Sequence, residues 1–393
     1  RHYAARFEAA PVQTYGPNEF DRMIADQHVD TVIVTSVDRT HHRYIIRAME
    51  LGCDVITEKP MTVDARKCQE ILDCREATER DLKVTFNYRY TPHHAKIKEI
   101  LQSGAIGKIL SVHFEWLLDT VHGADYFRRW HRDKRNSGGL MVHKATHHFD
   151  LINWWLDAAP ETVFGFGSLA FYGRANAEER GETRFYTRCQ GNEIARNDPW
   201  AIHMEGDETL RELYLNAEHE DGYIRDQSVF GDNISIEDDM AVLVRYNSGA
   251  TMSYHLTAYA PWEGYRVMFS GTKGRLEALT EETSYVSGSG NDVNRPDLRN
   301  ARKVASSGGP QIILRGHWEA PVTIEVPVDS GGHGGGDARL LEDLFGAGGV
   351  DPLKRAAGHI DGARSILTGI AANQSFATGR PVTIADLITW PTS

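Results

Sequence analysis

Two stretches of the sequence place ionisable side chains where they could handle a proton. In the first, CDVITEKPMT, an apolar run ends at Glu58, Lys59 and Pro60. The run predicts a buried strand over 54–57, and a lysine at the carboxyl end of a parallel strand would point into the crevice where ligands bind. Partial burial would lower its pKa towards that of a base. Taken by itself, Glu-Lys-Pro more often marks an exposed ion pair at a strand end.

The second group of candidate side chains falls on a segment with helical spacing. The sequence predicts a helix from Gly138 to about Leu156, with Ser137 as its N-cap. One face of that helix would carry His143, His147, Asp150 and Trp154. Histidine is the side chain best suited to exchange a proton near neutral pH. His148 faces another way, and we expect it to be structural.

The two histidines could also be read as metal ligands. Histidines four positions apart on a helix resemble half of a zinc site. The sequence has no HExxH motif, however, and offers no clear third ligand for His143 and His147. We therefore predict no metal site.

The composition excludes several classes of protein. With 393 residues the chain is long enough for two domains. A net charge of −12 argues against general nucleic-acid binding. No run of ~18 apolar residues is present, so no membrane span is expected. Four cysteines without a CxxC pair or a disulfide pattern favour a reducing compartment, and we expect a cytoplasmic location.

Hydrophobic periodicity predicts two different folds in succession. In residues 1–108, β-branched runs alternate with amphipathic segments, which indicates βαβ units and a parallel sheet. The predicted strands there are 29–36, 54–57 and 83–89, and the predicted helices are 4–9, 18–26, 42–52, 64–80 and 93–107. In residues 109–393, alternating strands and tight turns indicate an antiparallel sheet. The second domain is expected to contain strands within 109–118, 239–260 and 265–279, a polar insertion at about 172–236 and a helix at about 358–377.

Five motifs in order resemble one known family. VIVTS, AMELGCDVITEKP, FNYRYTP, SGGLMVHKATHHFDLINWWL and FSGTKGRLE are similar to segments of the glucose–fructose oxidoreductase / inositol dehydrogenase / rhizopine-catabolism family (Gfo/Idh/MocA). The resemblance covers nearly the whole chain apart from the insertion. It implies a Rossmann-type parallel sheet domain followed by an α+β domain with a large open, mostly antiparallel sheet.

The resemblance also implies a chemistry. Members transfer a hydride between a nicotinamide dinucleotide and a sugar or cyclitol hydroxyl carbon. The expected cofactor is NAD, with NADP left open, and the expected partner is a small carbohydrate, which could be anionic. Assembly as a homodimer or homotetramer through the open face of the second sheet is also implied.

The Gly-rich phosphate loop that opens such a domain is missing. A dinucleotide fold begins with a strand, a GxGxxG loop and a helix, whereas residues 1–10 resemble the segment after the family's second strand. GFGSLA (165–170) matches the sequence pattern GxGxxA, but the residues after it make a poor helix. We therefore interpret it as a strand that contains glycine. We expect that the first βαβ unit is absent from this sequence, which leaves an export signal open as well.

Individual site residues follow from the resemblance. The expected catalytic residues are Lys59, His147 and His143. Lys59 and His147 match the family's catalytic lysine and histidine, while His143 occupies the position of an acidic residue, a departure that could change the proton relay or the reaction. The residues implied to bind the cofactor are Ser36, Asp38, His41, Glu58, Lys59, Asn87, Trp130 and Arg132. The residues expected to contact the substrate are Arg89, Tyr126, Arg128, Arg129, Asp150, Trp262, Tyr265 and His333.

Some of these positions rest on residue chemistry as well. Arg128 and Arg129 lie in an arginine- and aromatic-rich segment, and guanidinium groups pair well with anionic substituents. Trp262 and Tyr265 offer flat surfaces suited to sugar rings. Each could instead belong to a solvated loop or to the core.

Three functions are compatible with the sequence. The first is a sugar or cyclitol dehydrogenase in which Lys59 and His147 handle the hydroxyl proton. The second is an NAD-dependent glycoside hydrolase that oxidises the sugar ring, eliminates the leaving group, adds water and re-reduces the ring. The third is a ligand-binding protein without catalysis, against which the retention of both Lys59 and His147 argues.

Overall fold

The computed structural model describes residues 12–286, 310–326, 332–347 and 349–391. The helix expected over 4–9 lies outside these residues. Within them, two sheets and the helices packed on them share one hydrophobic core. The fold combines a parallel α/β layer with a larger, mostly antiparallel sheet, as the sequence predicted.

A three-stranded parallel sheet forms the N-terminal layer. Val55 of its middle strand pairs with Val32 on one side and Leu82 on the other. Its strands are β1 (Thr31–Val34), β2 (Asp54–Thr57) and β3 (Leu82–Val84). The helices along this part of the chain are α1 (Phe20–Gln27), α2 (His41–Glu50), α3 (Ala65–Thr78) and α4 (Pro92–Gln102). Because the strands are parallel, their carboxyl ends meet at one edge, where ligands of such sheets bind.

Local sequence signals set the ends of these helices. The Asp64 side chain precedes α3 and accepts a hydrogen bond from the Lys67 N–H at 2.9 Å. Helix α2 stops just before Gly52, whose φ of +86° is a conformation that glycine adopts without strain. Both ends were predictable from residue type.

The second sheet has nine strands. Its order is β11-β10-β9-β8-β4-β7-β6-β5-β12, and every neighbouring pair is antiparallel except β4 and β7. The first six strands in chain order are β4 (Ile109–Asp119), β5 (Pro160–Ser168), β6 (Asp239–Tyr246), β7 (Thr251–Ala260), β8 (Glu263–Gly271) and β9 (Gly274–Thr283). They are followed by β10 (Gln311–Gly316), β11 (Val322–Ile324) and β12 (Val382–Thr383). The GFGSLA segment lies largely in β5, as the strand interpretation required.

The described helices cover one face of this sheet and leave the other face open. The longest helix, at the C-terminal end, packs against β5 and against the histidine-bearing helix. On the open face, the side chains of Phe166 and Leu243 are 67% and 57% exposed. The helices of this half are α5 (His122–Arg128), α6 (Lys134–Ser137), α7 (Leu140–His143), α8 (Ala145–Leu156), α9 (Arg174–Glu179), α10 (Glu208–Leu213), α11 (Glu218–Asp221), α12 (Gly336–Phe345) and α13 (His359–Thr378).

The predicted continuous helix from Gly138 to Leu156 is wrong. The segment is divided at Lys144 into α7 and α8. Gly138 and Gly139 have φ angles of +72° and +76°, which are not helical. Ser137 ends α6, and its hydroxyl accepts the Gly139 N–H at 3.0 Å, so Gly139 and not Ser137 is the N-cap of α7.

Two predicted strands are shorter than expected. The strand expected over 83–89 ends at Val84, and Asn87–Tyr90 forms a 3₁₀ turn beyond it. The strand expected over 29–36 is limited to β1. Ile33 in that strand is 56% exposed and not buried on both faces, because its side chain lines a cavity.

Candidate active site

A cavity of about 510 Å³ lies at the carboxyl ends of the parallel strands. Apolar side chains of α12 form one wall together with Ile33 and Ile56. Side chains from both halves of the chain line the polar part: Thr35, Glu58, Lys59, Thr85, Asn87, Tyr88, His122, Tyr126, Lys144, His147, His333 and Asp337. Lys59 and His147, which the sequence analysis paired, therefore meet in one cavity.

The break at Lys144 positions Lys59. In an unbroken helix the His147 N–H would bind the carbonyl of His143. Here it binds the carbonyl of Lys144 instead, at 3.3 Å, and the His143 carbonyl accepts a hydrogen bond from Lys59 Nζ at 3.3 Å. Burial lowers the pKa of Lys59, while the carboxylates of Asp38 and Glu58 act in the opposite direction. The ammonium group is thus held in the lining of the cavity.

His147 is buried beside Lys59 and held by stacking. Its ring lies 4.3 Å from the ring of Tyr88, with an angle of 15° between the planes. Among the described residues, no atom hydrogen-bonds to the enclosed Nδ1 of His147. Burial, reinforced by the charge of Lys59, lowers the pKa of His147 well below 6.5. His147 is therefore neutral near neutral pH and has a lone pair available for a proton.

A carboxyl group supports the histidine that replaces the family's acid. Asp38 Oδ2 lies 2.5 Å from Nδ1 of His143, and both side chains are almost fully buried. Burial raises the pKa of Asp38 and lowers the pKa of His143 well below 6.5. The acid that the resemblance places on the helix is thus supplied from the loop after β1, and the predicted cofactor residue Asp38 contacts His143 rather than the cavity.

A second polar group lines the outer part of the cavity. Asn87 Nδ2 donates to Asp337 Oδ1 at 2.7 Å and lies 3.0 Å from His333 Nδ1. His333 in turn pairs with Asp337 at 2.9 Å. The buried Oδ1 of Asn87 has no hydrogen-bond partner within the described ranges. Asn87 and His333, both predicted site residues, thus lie together at the cavity and leave an acceptor for a ligand.

Arg89 and Asp150 do not line the cavity. They form a buried ion pair with two hydrogen bonds, at 2.8 and 2.5 Å, and Arg89 also donates to Asp361 at 3.0 Å. Burial raises the pKa of Asp150 to about 6 in spite of Arg89. The pair joins the turn after β3 to α8 and α13, which is a structural contact. Neither residue is therefore placed to contact a ligand in this cavity, in contrast to the prediction from the sequence.

Three of the predicted cofactor residues have protein partners outside the cavity. The hydroxyl of the exposed Ser36 lies 2.8 Å from that of Thr40. The ring nitrogens of buried His41 lie 2.9 and 2.8 Å from the carbonyls of Pro60 and Ser36. Arg132 donates to the carbonyls of Ser228 and Asp232 and to Gln227. Arg132 therefore fastens the 172–236 insertion, and His41 fastens the loop after Lys59.

The aromatic candidates divide between the cavity and the core. Tyr126 lines the cavity, with its hydroxyl 3.0 Å from His122 Nε2. Tyr265 is buried in the core, stacked on Trp116 at 4.5 Å. Trp130 stacks on His131 at 3.6 Å, just outside the cavity lining, and Trp262 lies near Arg266 on β8. Tyr126 is thus the aromatic candidate placed to touch a ligand in the cavity.

Arg128 and Arg129 differ although they are adjacent. Arg128 donates two hydrogen bonds, from Nε and Nη2, to the carbonyl of Trp200 in the insertion, at 2.9 and 2.7 Å. Arg129 is half-buried and lies 3.4 Å from Asp125. Arg128 is therefore occupied by the protein, whereas Arg129 lies beside the carboxylate of Asp125.

Sequence reasoning missed several cavity residues. Lys144 donates to the Tyr88 hydroxyl at 3.2 Å, and both side chains line the cavity. Tyr88 lies in the motif FNYRYTP beside Asn87, and Lys144 lies in SGGLMVHKATHHFDLINWWL close to His147. Their closeness in sequence to these two predicted residues could have identified them. The apolar wall from α12 had no such signal, because nothing local indicates which loop the helix will pack against.

Both halves of the chain match family models. Residues 1–87 match the model described as "Oxidoreductase family, NAD-binding Rossmann fold", and residues 98–384 match "Oxidoreductase family, C-terminal alpha/beta domain". The chain belongs to the Gfo/Idh/MocA family of oxidoreductases. Its N-terminal domain is accordingly a NAD-binding Rossmann domain, as the motifs predicted.

Curated relatives agree with this assignment. The oxidoreductase YteT of Bacillus subtilis (strain 168) is 38% identical over 390 residues, which covers 97% of this chain and 87% of that protein. The inositol 2-dehydrogenase of Gluconacetobacter diazotrophicus is 31% identical over 141 residues, covering 34% of this chain and 37% of that enzyme. The extended match is to an oxidoreductase, and the inositol dehydrogenase match is partial.

Solved structures share the fold at low identity. An aldose–aldose oxidoreductase from Caulobacter crescentus, complexed with glycerol, has a TM-score of 0.60 at 17% identity and covers 97% of this chain and 87% of its own. An oxidoreductase from Agrobacterium radiobacter in complex with NAD+, L-tartaric acid and magnesium has a TM-score of 0.60 at 15% identity, covering 98% and 87%. These likenesses establish the two-domain architecture.

The cavity residues fit a nicotinamide nucleotide. The crevice lies at the carboxyl ends of parallel strands, as such ligands require. Ile33 and Ile56 offer an apolar surface to a ring, and the unpaired Oδ1 of Asn87 offers an acceptor to a ribose hydroxyl or a carboxamide. Glu58, half in solvent at the rim, is also within the cavity lining.

Among the described residues, no group of three or more His, Cys, Asp or Glu side chains is arranged to hold a metal ion. No helix within the described ranges is long and apolar enough to span a bilayer. All four cysteines are free thiols.

Proposed function

We propose that this oxidoreductase transfers a hydride between NAD or NADP and a hydroxyl carbon of a sugar or cyclitol. One observation carries the proposal: Lys59 and neutral His147 line one cavity at the carboxyl ends of the parallel strands, in a family whose first domain binds NAD. A hydroxyl placed between them would meet a proton acceptor and a cationic donor. The partial matches to inositol dehydrogenases support a polyol substrate.

His147 takes the proton in the direction of alcohol oxidation. Its Nδ1 is enclosed by protein, so Nε2 is the ring atom that reaches the cavity. Because its pKa is lowered, the ring is neutral and can accept the hydroxyl proton. When bound, the nicotinamide ring supplies the acceptor for the hydride. In the reverse direction the same nitrogen returns the proton.

Lys59 stabilises the charge that develops on the substrate oxygen. Its Nζ makes one hydrogen bond to a described residue, with the His143 carbonyl, which leaves N–H groups for the substrate. A pre-positioned ammonium group in a site of low polarity favours the alkoxide-like transition state. The Asp38–His143 hydrogen bond fixes the residue whose carbonyl holds Lys59.

The test uses protein from the full-length gene. It is incubated with NAD or NADP and a panel of sugars and cyclitols, and net formation of reduced cofactor is followed by absorbance. We expect net reduction with at least one polyol, loss of it in His147→Ala, and retention in His317→Ala, an exposed histidine far from the parallel strands. Unchanged activity in His147→Ala would contradict the assignment.

The same assay separates the two enzymatic readings. The comparisons give no support to the glycoside-hydrolase alternative. A glycoside-hydrolase activity would be detected as cleavage of the sugar without net accumulation of reduced cofactor. Mass spectrometry of dinucleotide released from denatured protein distinguishes NAD from NADP in the same preparation.

We further propose that the chain forms a homodimer or homotetramer through the open face of the nine-stranded sheet. Phe166 and Leu243 lie exposed on this face, which the described helices leave uncovered. Exposed apolar area of this kind favours association. The free thiols are consistent with the cytoplasmic location that we propose.

A further inference from the structure

A group of arginines beside the cavity has more positive charge than the described carboxylates near it neutralise. The carboxylate of Asp125 faces three guanidinium groups: Arg225 at 2.7 Å, Arg129 at 3.4 Å and Arg128 at 3.6 Å. Arg225 comes from the 172–236 insertion, and the others lie in and just after α5. One carboxylate cannot compensate three cations, so the cluster is left with a surplus of positive charge.

Two of these arginines have unused hydrogen-bond donors. The side chain of Arg225 is only 9% exposed, and within the described ranges its Nε and Nη1 have no partner. The buried Nε of Arg129 has none either. Buried charged donors without acceptors are costly, and proteins rarely leave them without a water, ion or ligand that accepts their hydrogen bonds. Arg128 differs, because it donates twice to the Trp200 carbonyl.

The cluster adjoins the catalytic cavity. His131 links the two, since its ring lies 4.2 Å from that of His143 and 5.5 Å from that of Tyr126 in the cavity wall. Burial lowers the pKa of His131, and the charges of Arg129, Lys59 and Arg225 lower it further while Asp125 acts in the opposite direction, so these charges lie near its ring. The arginines therefore lie within reach of a substrate whose hydroxyl is held at Lys59.

We propose that Arg129 and Arg225 form an anion subsite that binds a carboxylate or phosphate group of the sugar substrate. The planar fork of a guanidinium group matches either anion with two parallel hydrogen bonds. The substrate would then be an acidic sugar, such as a uronic acid or a sugar phosphate. This inference rests on the proposed function, and it gives the insertion a role in substrate selection.

The experiment compares neutral and acidic sugars of the same stereochemistry. Full-length protein is titrated with the hexose, the hexuronate and the hexose 6-phosphate of the gluco, galacto and manno series, with binding followed by calorimetry. We expect at least one acid to bind about tenfold to a hundredfold more tightly than its neutral parent, the usual effect of charge-assisted hydrogen bonds. The uronate and phosphate arms decide which anion the subsite takes.

Substitutions of Arg225 test whether the preference for acidic sugars arises at this subsite. Arg225→Gln should abolish the preference for the acid and leave binding of the neutral sugar unchanged, whereas Arg225→Lys, which keeps the charge without the fork, should retain part of it. Arg174→Gln is the matched control, because Arg174 is in the same insertion but forms an exposed ion pair with Asp232. A thermal melt checks that each variant is folded.

Several results would overturn the proposal. If no acid binds more tightly than its neutral parent, including when none binds at all, the subsite does not exist. If Arg225→Gln weakens binding of NAD and not the preference for acid, the arginines serve the cofactor. Net reduction of the cofactor without any preference for an acidic sugar would refute the anion subsite alone. A preference for an acidic sugar without net reduction of the cofactor would refute the redox function alone.

Discussion

Replacing Lys59 with methionine tests the proposed chemistry most directly. Methionine has a similar length and removes the charge without opening a large cavity. Lys59 Nζ makes one hydrogen bond to a described residue, so most of its capacity is free for the substrate oxygen. Removing one donor that stabilises a developing oxyanion typically costs about 10²–10³-fold in rate. We therefore expect kcat/KM to fall by about 10³-fold, which is about 4 kcal/mol of transition-state stabilisation.

Lys59→Met should lower the activity of the protein without lowering its stability. Burial lowers the pKa of Lys59, which means that the folded protein disfavours its charged form. An apolar replacement relieves this cost, so the free energy of unfolding should be equal to or higher than that of the parent protein. Steady-state kinetics with the best polyol from the panel and urea unfolding monitored by tryptophan fluorescence measure the two quantities.

A second buried lysine provides the control. Lys98 is also buried, also donates to a backbone carbonyl, that of Trp154, and also has a pKa lowered by burial, but it lies outside the cavity lining. Lys98→Met should keep kcat/KM. The reasoning is refuted if Lys59→Met retains kcat/KM within about tenfold of the parent, or if both variants lose activity equally.

Three further predictions follow from the same geometry. Because burial lowers the pKa of His147 below 6.5, the rate of alcohol oxidation should fall only as the pH drops below 6.5, and a pH–rate profile with an acid limb centred above about 7 would contradict this. Arg89→Met should lower the free energy of unfolding by about 3–5 kcal/mol in urea titrations, since it strands the buried carboxylate of Asp150. The loss should shrink at about pH 5, because a carboxyl whose folded pKa is raised gains stability as it is protonated, and adding Asp150→Leu should restore most of it. Phe166→Glu together with Leu243→Glu should yield monomers in light scattering after size-exclusion chromatography, and an unchanged oligomer would exclude the open face as the interface.

The sequence by itself determined the order of the elements and the principal pair of site residues. Strand and helix periods are local properties of the chain, so the alternation through residue 108 and the hairpins after it could be predicted. Lys59 could be identified because its position at the end of a strand indicates where its side chain points. His147 could be identified because it lies within a long stretch of sequence that resembles the family. The family resemblance supplied their roles.

Only the tertiary structure decided which candidate side chains are free. Arg89 and Asp150 look like ligand contacts along the chain, but folding pairs them with each other and withdraws both from the cavity. His41 and Arg132 are also engaged by the protein: the ring of His41 lies against the Pro60 carbonyl, and the Nη groups of Arg132 donate to carbonyls of the insertion.

The tertiary structure also assembled groups that no local pattern connects. Asp38 reaches His143 across the two domains, and Arg225 reaches Asp125 from the insertion. Such contacts depend on how distant segments pack, because burial and pairing energies are set by three-dimensional neighbours and not by sequence spacing. The sequence could therefore name the residues that we propose as catalytic, whereas the charge environment that tunes them and the arginines that would select a substrate depend on the fold.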